Sequence, residues 1–400
     1  MERQAISDIN ELKTFLNSHT FLLSSKDKLT PTFADLDFNF PLMIQSEIDF
    51  IVKDNVIYSG SKSYGFDNCN FNQGFFFSHE IKKEYNFNDC VFKVKAQYTN
   101  AKFNKNIRFH SCDFDCDTDF TNTKFNKLID FWHSTFYKPI IFYKTDFLAT
   151  TVFSGATFKE NVLFTYSLIA DKIIFRGTKI VKGLDLSLAI ISGNLNLFDI
   201  QISRFNHSEP NSEKEYDEDV SSNGEVPLKN KKETYRLLKK HFETQSSNVR
   251  AIDMKFLERS AQSREINIEL KRVKRHKDED IYNFFGKKLN ALANFFILLL
   301  NFFSNLFGKS YVMGIIFTLL ISGLFFNLML SHIGSFSFTS DYSQWQWKYF
   351  VQFINPTHRF DFMKEIDVNP KRWFYIWDFI GRIFISYGIY QTVQAFRKYK

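Results

Sequence analysis

Large apolar residues recur along the middle of the chain at spacings that alternate between five and six. The series runs Phe87, Phe92, Tyr98, Phe103, Phe109, Phe114, Phe120, Phe125, Phe131, Phe136, Phe142, Phe147, Phe153, Phe158, Phe164, Ile169, Phe175, Ile180, Leu186, Ile191, Leu197 and Ile202. All 22 positions are apolar and 15 are Phe. A second series lies two residues before alternate members: Cys90, Ala101, Cys112, Thr123, Ser134, Thr145, Ala156, Ser167, Thr178 and Ala189, every one small. The other half-repeats carry aliphatic residues there, such as Ile107, Ile129, Ile140 and Val162. Neither a 3.6-residue helical period nor plain strand alternation generates such a series. A coil of short straight sides and corners does, and regular self-similarity identifies stacked units. Each half-repeat makes one side, with its large residue on the axis and the small residue beside the corner. Four sides make 22 residues per coil, so that Cys90, Cys112 and Ser134 stack. Successive coils then lie about 4.8 Å apart around a ladder of Phe.

The central Phe or Leu with a small residue two before it resembles the pentapeptide-repeat proteins. That resemblance implies a β-solenoid, a right-handed quadrilateral β-helix, over about 120 residues, with Phe66, Cys69, Phe71 and Phe76 as a first, less regular coil. Its core is expected to include Phe103, Phe109, Phe114, Phe120, Phe125, Phe131, Phe136, Phe142, Phe147, Phe153, Phe158 and Phe164. The extra sixth residue in alternate sides departs from the plain repeat and is known in a Phe-rich branch of the family.

Residues 1–60 read as an N-terminal cap over an otherwise open sheet end. Asp8 to Leu16 suits a short helix. Phe38, Phe40, Leu42, Ile44, Ile48, Phe50 and Val52 alternate as in strands. The β-helix itself is assigned to residues 61–206. That region holds 18 Lys and Arg against 14 Asp and Glu, scattered along it. A mimic of DNA needs a dense negative face, so that function is not supported, and the scattered charge gives no nucleic-acid site. His110, Cys112, Asp113, Asp115, Cys116, Asp117 and Asp119 crowd one repeat, but Thr118 and Lys124 stand where a calcium loop needs Gly and Glu. Cys112 lies on the inward small-residue series while Asp113 and Asp119 face out, which divides a would-be metal site. No metal, cofactor or catalytic motif is assigned, and the chain reads as no enzyme.

Residues 207–228 contain seven acids and one Lys and read as a disordered acidic linker. The sign then reverses: residues 229–288 hold 17 Lys and Arg against 9 Asp and Glu. Tyr235, Leu238, Phe242, Ile252 and Phe256 follow helical spacing about a turn at Gln245 to Asn248. This predicts a helical hairpin and a basic helix through Lys277, drawn to an anionic membrane surface. Residues 289–309 are apolar but interrupted on one face by Asn290, Asn294, Asn301 and Asn305, as in an interfacial amphipathic helix. Residues 310–331 form a first transmembrane helix: Tyr311 to Ser331 carries no charge and spans about 31 Å, the thickness of a hydrocarbon core. Gly314, Thr318 and Ser322 put small residues on one of its faces for helix packing. Residues 332–371 form an aromatic extracytoplasmic loop with Trp345, Trp347, Tyr349, Phe350 and Phe353 before Pro356. Residues 372–400 form a second transmembrane helix and a basic tail. Asp378, Arg382 and Ser386, four apart, share a face of that helix and are the candidate functional residues within the membrane.

Basic residues crowd before the first span and after the second, while the loop between them is not basic-rich. Both termini are therefore expected in the cytoplasm, and four Cys without a disulfide-like spacing suit a reducing compartment. The stretches Glu233–Phe242, Ser304–Gly308, Phe353–His358 and Ile389–Tyr399 resemble a membrane-bound bacterial group of pentapeptide-repeat proteins. That resemblance implies an inner-membrane protein with two spans and no enzymatic activity. The expected function is an oligomeric channel-like pore with a cytoplasmic pentapeptide-repeat gating module. The alternative is a membrane-tethered scaffold that binds a protein partner through the β-helix. The expected partners are the lipid bilayer, further copies in a homo-oligomer and, in the alternative, that protein, with no nucleic acid.

Overall fold

The computed structural model describes residues 3–18, 32–44, 63–77, 79–203, 205–272, 281–333, 347–365 and 370–397. They form two compact units, Met1–Leu237 and Leu238–Lys400.

The first unit is a four-sided solenoid. Its strands, mostly two or three residues long, form four parallel sheets of nine, seven, six and eight strands. The face with six strands sets about six turns. Register follows the 22-residue period: Phe92 pairs with Phe114 and Phe114 with Phe136; Phe103 pairs with Phe125 and Phe125 with Phe147. Each coil therefore places one ring over the next. Phe87, Phe109, Phe131 and Phe153 stack at 4.8, 5.2 and 5.3 Å between successive centroids. Phe92, Phe114, Phe136 and Phe158 stack at 4.7, 4.6 and 4.9 Å. Phe103 through Phe164, every expected core Phe is buried.

The small residues do more than fit the corner. Thr123 Oγ1 donates to the Tyr98 carbonyl, Ser134 Oγ to that of Phe109, and Thr145 Oγ1 to that of Phe120, at 2.7, 2.7 and 2.8 Å. Each bond reaches back 25 residues, from one coil to its neighbour. The Tyr98 and Phe120 carbonyls also accept the corner amides of Ala101 and Thr123, so the hydroxyl supplies a second bond to a buried carbonyl.

The solenoid begins before residue 61. Gln4–Ile6, Thr32–Ala34, Leu36–Phe38 and Leu42–Met43, in the region set apart as a cap, pair in parallel with the sheets. Here the offset is irregular: Phe38 pairs with Phe71, and Phe71 with Phe92. Helix α1 (Ile9–Ser18) lies where a short helix is expected. Ile48, Phe50 and Val52 lie outside the described residues. In the first coil Phe66, Cys69 and Phe71 are buried, but Phe76 is not the inward residue; Phe75 and Phe77 are. The shorter 21-residue step there shifts the inward positions.

The acidic segment after the solenoid is not a disordered linker. It contains α2 (Glu213–Glu218), capped by Ser212, and a π-helical turn at Asp219–Asn223. The segment lies on one solenoid face. Asn161 Nδ2 donates to the Gly224 carbonyl at 2.9 Å and Thr165 Oγ1 to that of Val220 at 2.7 Å. Val220 and Val226 are buried. Gly224 has φ of 66°, and an added Cβ would lie 2.5 Å from Pro139 Cβ, so the close approach needs glycine. Helix α3 (Leu228–Thr244) then starts, and Asn230 and Thr234 reach the buried Asp185 carboxylate at 2.9 and 3.3 Å. Docked apolar and polar contacts outweigh the self-repulsion of the acids.

In the second unit α3 ends and α4 (Asn248–Arg272) begins across the expected turn. Residues 273–277 lie outside the described residues. Helices α5 (Ile281–Asn305), α6 (Tyr311–Leu330), α7 (Trp347–Ile354) and α8 (Arg372–Phe396) follow. Among the described residues α6 alone is long and apolar enough to cross a membrane. Helix α8 has the length but carries Asp378 and Arg382, so the expected pair of spans is not established by composition. The expected cations Lys398 and Lys400, and Trp345, lie outside the described residues.

Candidate functional site

Helices α6 and α8 meet through small residues. Gly314, Thr318 and Ser322 are buried on α6. Gly314 and Thr318 face Thr392 and Gly388 of α8: a Cβ on Gly314 would lie 2.5 Å from Thr392 Oγ1, and one on Gly388 would meet Thr318 Oγ1. The hydroxyls of Thr318 and Ser322 bond back to the carbonyls of Gly314 and Thr318 at 2.8 and 2.6 Å, which hides them from the apolar surroundings. This face is thus occupied within one chain.

Next to that contact lies a charged cluster. Asp378 has no exposed surface, and its Oδ2 accepts Arg382 Nε and Nη2 at 3.1 and 2.9 Å. The other oxygen, Oδ1, lies 2.7 Å from His358 Nε2. His358 Nδ1 is 2.7 Å from the Asn355 carbonyl. The Arg382 guanidinium lies over the Phe360 ring, 4.0 Å from its centroid. The structure thus brings Asp378 and Arg382 together but not Ser386, which is exposed on the outer side of α8. A strict four-residue spacing drifts round a 3.6-residue helix, enough to carry the third residue out of the cluster. His358 and Phe360 are absent from the sequence-based candidates because they sit on a different segment, with no period linking them to α8.

A second polar contact joins α5 to α8. Tyr387 Oη and Gln391 Nε2 both donate to Asn301 Oδ1 at 3.0 and 3.1 Å, and Asn305 Nδ2 bonds Gln391 Oε1 at 2.5 Å. The Asn face of the expected interfacial helix is therefore split: Asn301 and Asn305 pack against α8, while Asn290 and Asn294 are exposed.

On the solenoid the crowded repeat separates as its alternation requires. Cys112 Sγ points inward and bonds the Phe87 carbonyl, whereas His110 pairs outward with Asp130 at 3.0 Å. Among the described residues no group of three or more metal-binding side chains converges. All four Cys are buried. Burial pushes the Cys116 thiol up to about 11 and that of Cys90 well above its usual value. Both stay as unreactive thiols at neutral pH. The outer surface offers exposed aromatics at the corners: Trp132, Tyr137, Tyr166 and Phe198.

Residues 98–146 match the family model of pentapeptide repeats, in nine copies. No curated protein and no solved structure matches the chain. The matched residues lie within the regular coils, where the inward Phe and small-residue columns are in register. From the repeat match and the four-sided solenoid together, the chain is a pentapeptide-repeat protein.

Proposed function

We propose that this protein is a non-enzymatic, membrane-tethered binding scaffold: the helical unit anchors it and the solenoid presents a surface to a protein partner. A pentapeptide-repeat β-helix is consistent with a protein-interaction module, and solenoids bind through extended faces. Exposed Trp132, Tyr137, Tyr166 and Phe198 supply side chains enriched at interfaces.

The observation that carries the tether is the polarity of the helical unit. Large apolar side chains form its outer surface: Leu289 is 68% exposed, Leu320 69%, Phe379 59% and Ile383 54%. Ser304, Asn305, Thr318, Ser322, Asp378 and Gln391 are buried. In water each such Leu or Phe forgoes about 1.5–3 kcal/mol of burial, and soluble monomers rarely expose large contiguous apolar patches. In a bilayer that surface is at home, and the buried polar groups find partners within the unit. In this reading α6 and α8 both span, α5 lies along the interface, and both termini face the cytoplasm of a bacterial inner membrane.

An oligomeric channel draws less support. A pathway between subunits needs a polar face turned outward. Asp378 and Arg382 neutralise each other inside the unit, with His358 as a third member, and the small-residue face of α6 is already filled by α8. Full-length protein reconstituted into planar lipid bilayers is therefore expected to give no unitary currents at either polarity. Reproducible ion-selective currents that change in the Arg382→Gln variant would overturn the scaffold in favour of the channel.

A further inference from the structure

The cluster at Asp378 has a feature that a static anchor does not require. Every group facing the His358 ring nitrogens is an acceptor. The Asn355 carbonyl at Nδ1 has only lone pairs to offer. Asp378 Oδ1 faces Nε2, while the same carboxylate receives two guanidinium donors on Oδ2. Against an ionised carboxylate, both contacts are hydrogen bonds at once only when both nitrogens carry a proton. A neutral imidazole has one N–H. Whichever nitrogen gives up its proton then sets a lone pair against an oxygen lone pair at 2.7 Å, in a site where His358 is almost fully buried. An unmade buried hydrogen bond is costly where water cannot replace it.

The same cluster holds a segment in place. Asn355–Glu365 follows α7; its Met363 packs in the apolar core with Phe374 and Ile385 of α8, and two polar contacts add to that: His358 on Asp378, and Phe360 under the Arg382 guanidinium. Both polar contacts depend on one carboxylate, because Asp378 also orients Arg382. The remaining surroundings supply no competing charge. Helix α6 presents Phe326 and Met329 to the shared core, and α7 presents Phe353. Tyr349 of α7 is bonded to Glu365 at 2.6 Å. Arg359, Asp361 and Lys364 of the segment itself pair with one another at its surface. His332, just past α6, bonds the Leu328 carbonyl separately.

We propose that His358, Asp378 and Arg382 form a proton-operated latch that closes the segment Asn355–Glu365 onto α8 when His358 is doubly protonated and releases it when the ring loses one proton. Acid therefore closes the latch and alkali opens it. Histidine is the side chain suited to such a change between about pH 5 and pH 8. The latch stands on this geometry whether or not α8 crosses a membrane.

The test is hydrogen exchange of the full-length protein in detergent, read on peptides covering residues 355–365 and corrected for the intrinsic pH dependence of exchange. Protection in the parent chain is expected to fall about tenfold between pH 5 and pH 8, the weight of one lost buried hydrogen bond. In Asp378→Asn the side-chain amide donates to a neutral ring and its oxygen still accepts from Arg382, so protection should become independent of pH. His358→Gln, which keeps Asp378 and cannot titrate, should be equally flat and serves where the first variant does not fold. Constant protection in the parent chain, or a pH response undiminished in a folded variant, would overturn the latch. His332 is unchanged in both variants, so a response that survives them belongs to it.

Discussion

Phe131→Asp abolishes the cooperative unfolding of the solenoid. The ring is fully buried, stacked between Phe109 and Phe153 at 5.2 and 5.3 Å and edge-on to Phe136 at 5.4 Å. Truncating a buried Phe alone costs about 3–5 kcal/mol. A carboxylate in its place adds several kcal/mol more, because nothing inside the ladder can pair with it. The sum reaches the about 5–15 kcal/mol by which a whole domain is stable. A solenoid also transmits the loss: each coil contacts only its neighbours, so a failed coil separates those on either side. Lys138→Asp makes the same kind of change at an exposed corner and should stay within about 0.5 kcal/mol of the parent. Far-UV circular dichroism melts of the two variants check both statements. A Phe131→Asp protein that melts like the parent would show that the ring does not sit in the ladder.

The second large effect is expected in the helical unit. Asp378→Ala removes the acceptor of both His358 and Arg382 and leaves the part-buried guanidinium with no counter-charge. Breaking a buried pair in this way costs about 3–5 kcal/mol. Asp378→Ala/Arg382→Ala should be more stable than Asp378→Ala, because the single change leaves Arg382 unpaired and the double change does not. The gain is reduced by the lost stacking of Arg382 on Phe360, about 0.5–2 kcal/mol. Thermal unfolding of the full-length variants in detergent ranks them. A double variant less stable than the single one would mean that Arg382 is held by Phe360 and not by Asp378.

The solenoid was readable in the sequence because every coil repeats one environment. Phe114, Phe136 and Phe158 occupy equivalent places, so a single physical demand is written many times. The first coils were less legible for the same reason. Phe38, Phe71 and Phe92 are paired across unequal offsets, which puts Phe75 and Phe77 inside where the regular period points to Phe76. The docking of residues 208–237 left a signal that composition masked. Outward positions on that face are Gln97 and Asp119 in earlier coils, then Ile141 and Leu163. Apolar residues facing outward ask for a cover, and Val220 and Val226 provide it from within an acidic stretch. The pairing of Asp378 with Arg382 follows from helical spacing. Its third member does not, since His358 reaches the carboxylate from 20 residues away along an irregular segment. No periodicity encodes such a meeting; only the packing of α7 and α8 produces it.

Anchoring across a membrane is tested most directly by labelling single introduced cysteines in sealed vesicles with a membrane-impermeant maleimide. The four native Cys are buried and give a silent background. Ser222→Cys and Arg359→Cys both place a thiol at an exposed position. In vesicles oriented as in the cell, Arg359→Cys should react at once and Ser222→Cys only after the membrane is opened, with the order reversed in inverted vesicles. Reaction of both from the same side in both preparations, or recovery of the chain free of the membrane, would contradict a solenoid tethered by membrane-spanning helices.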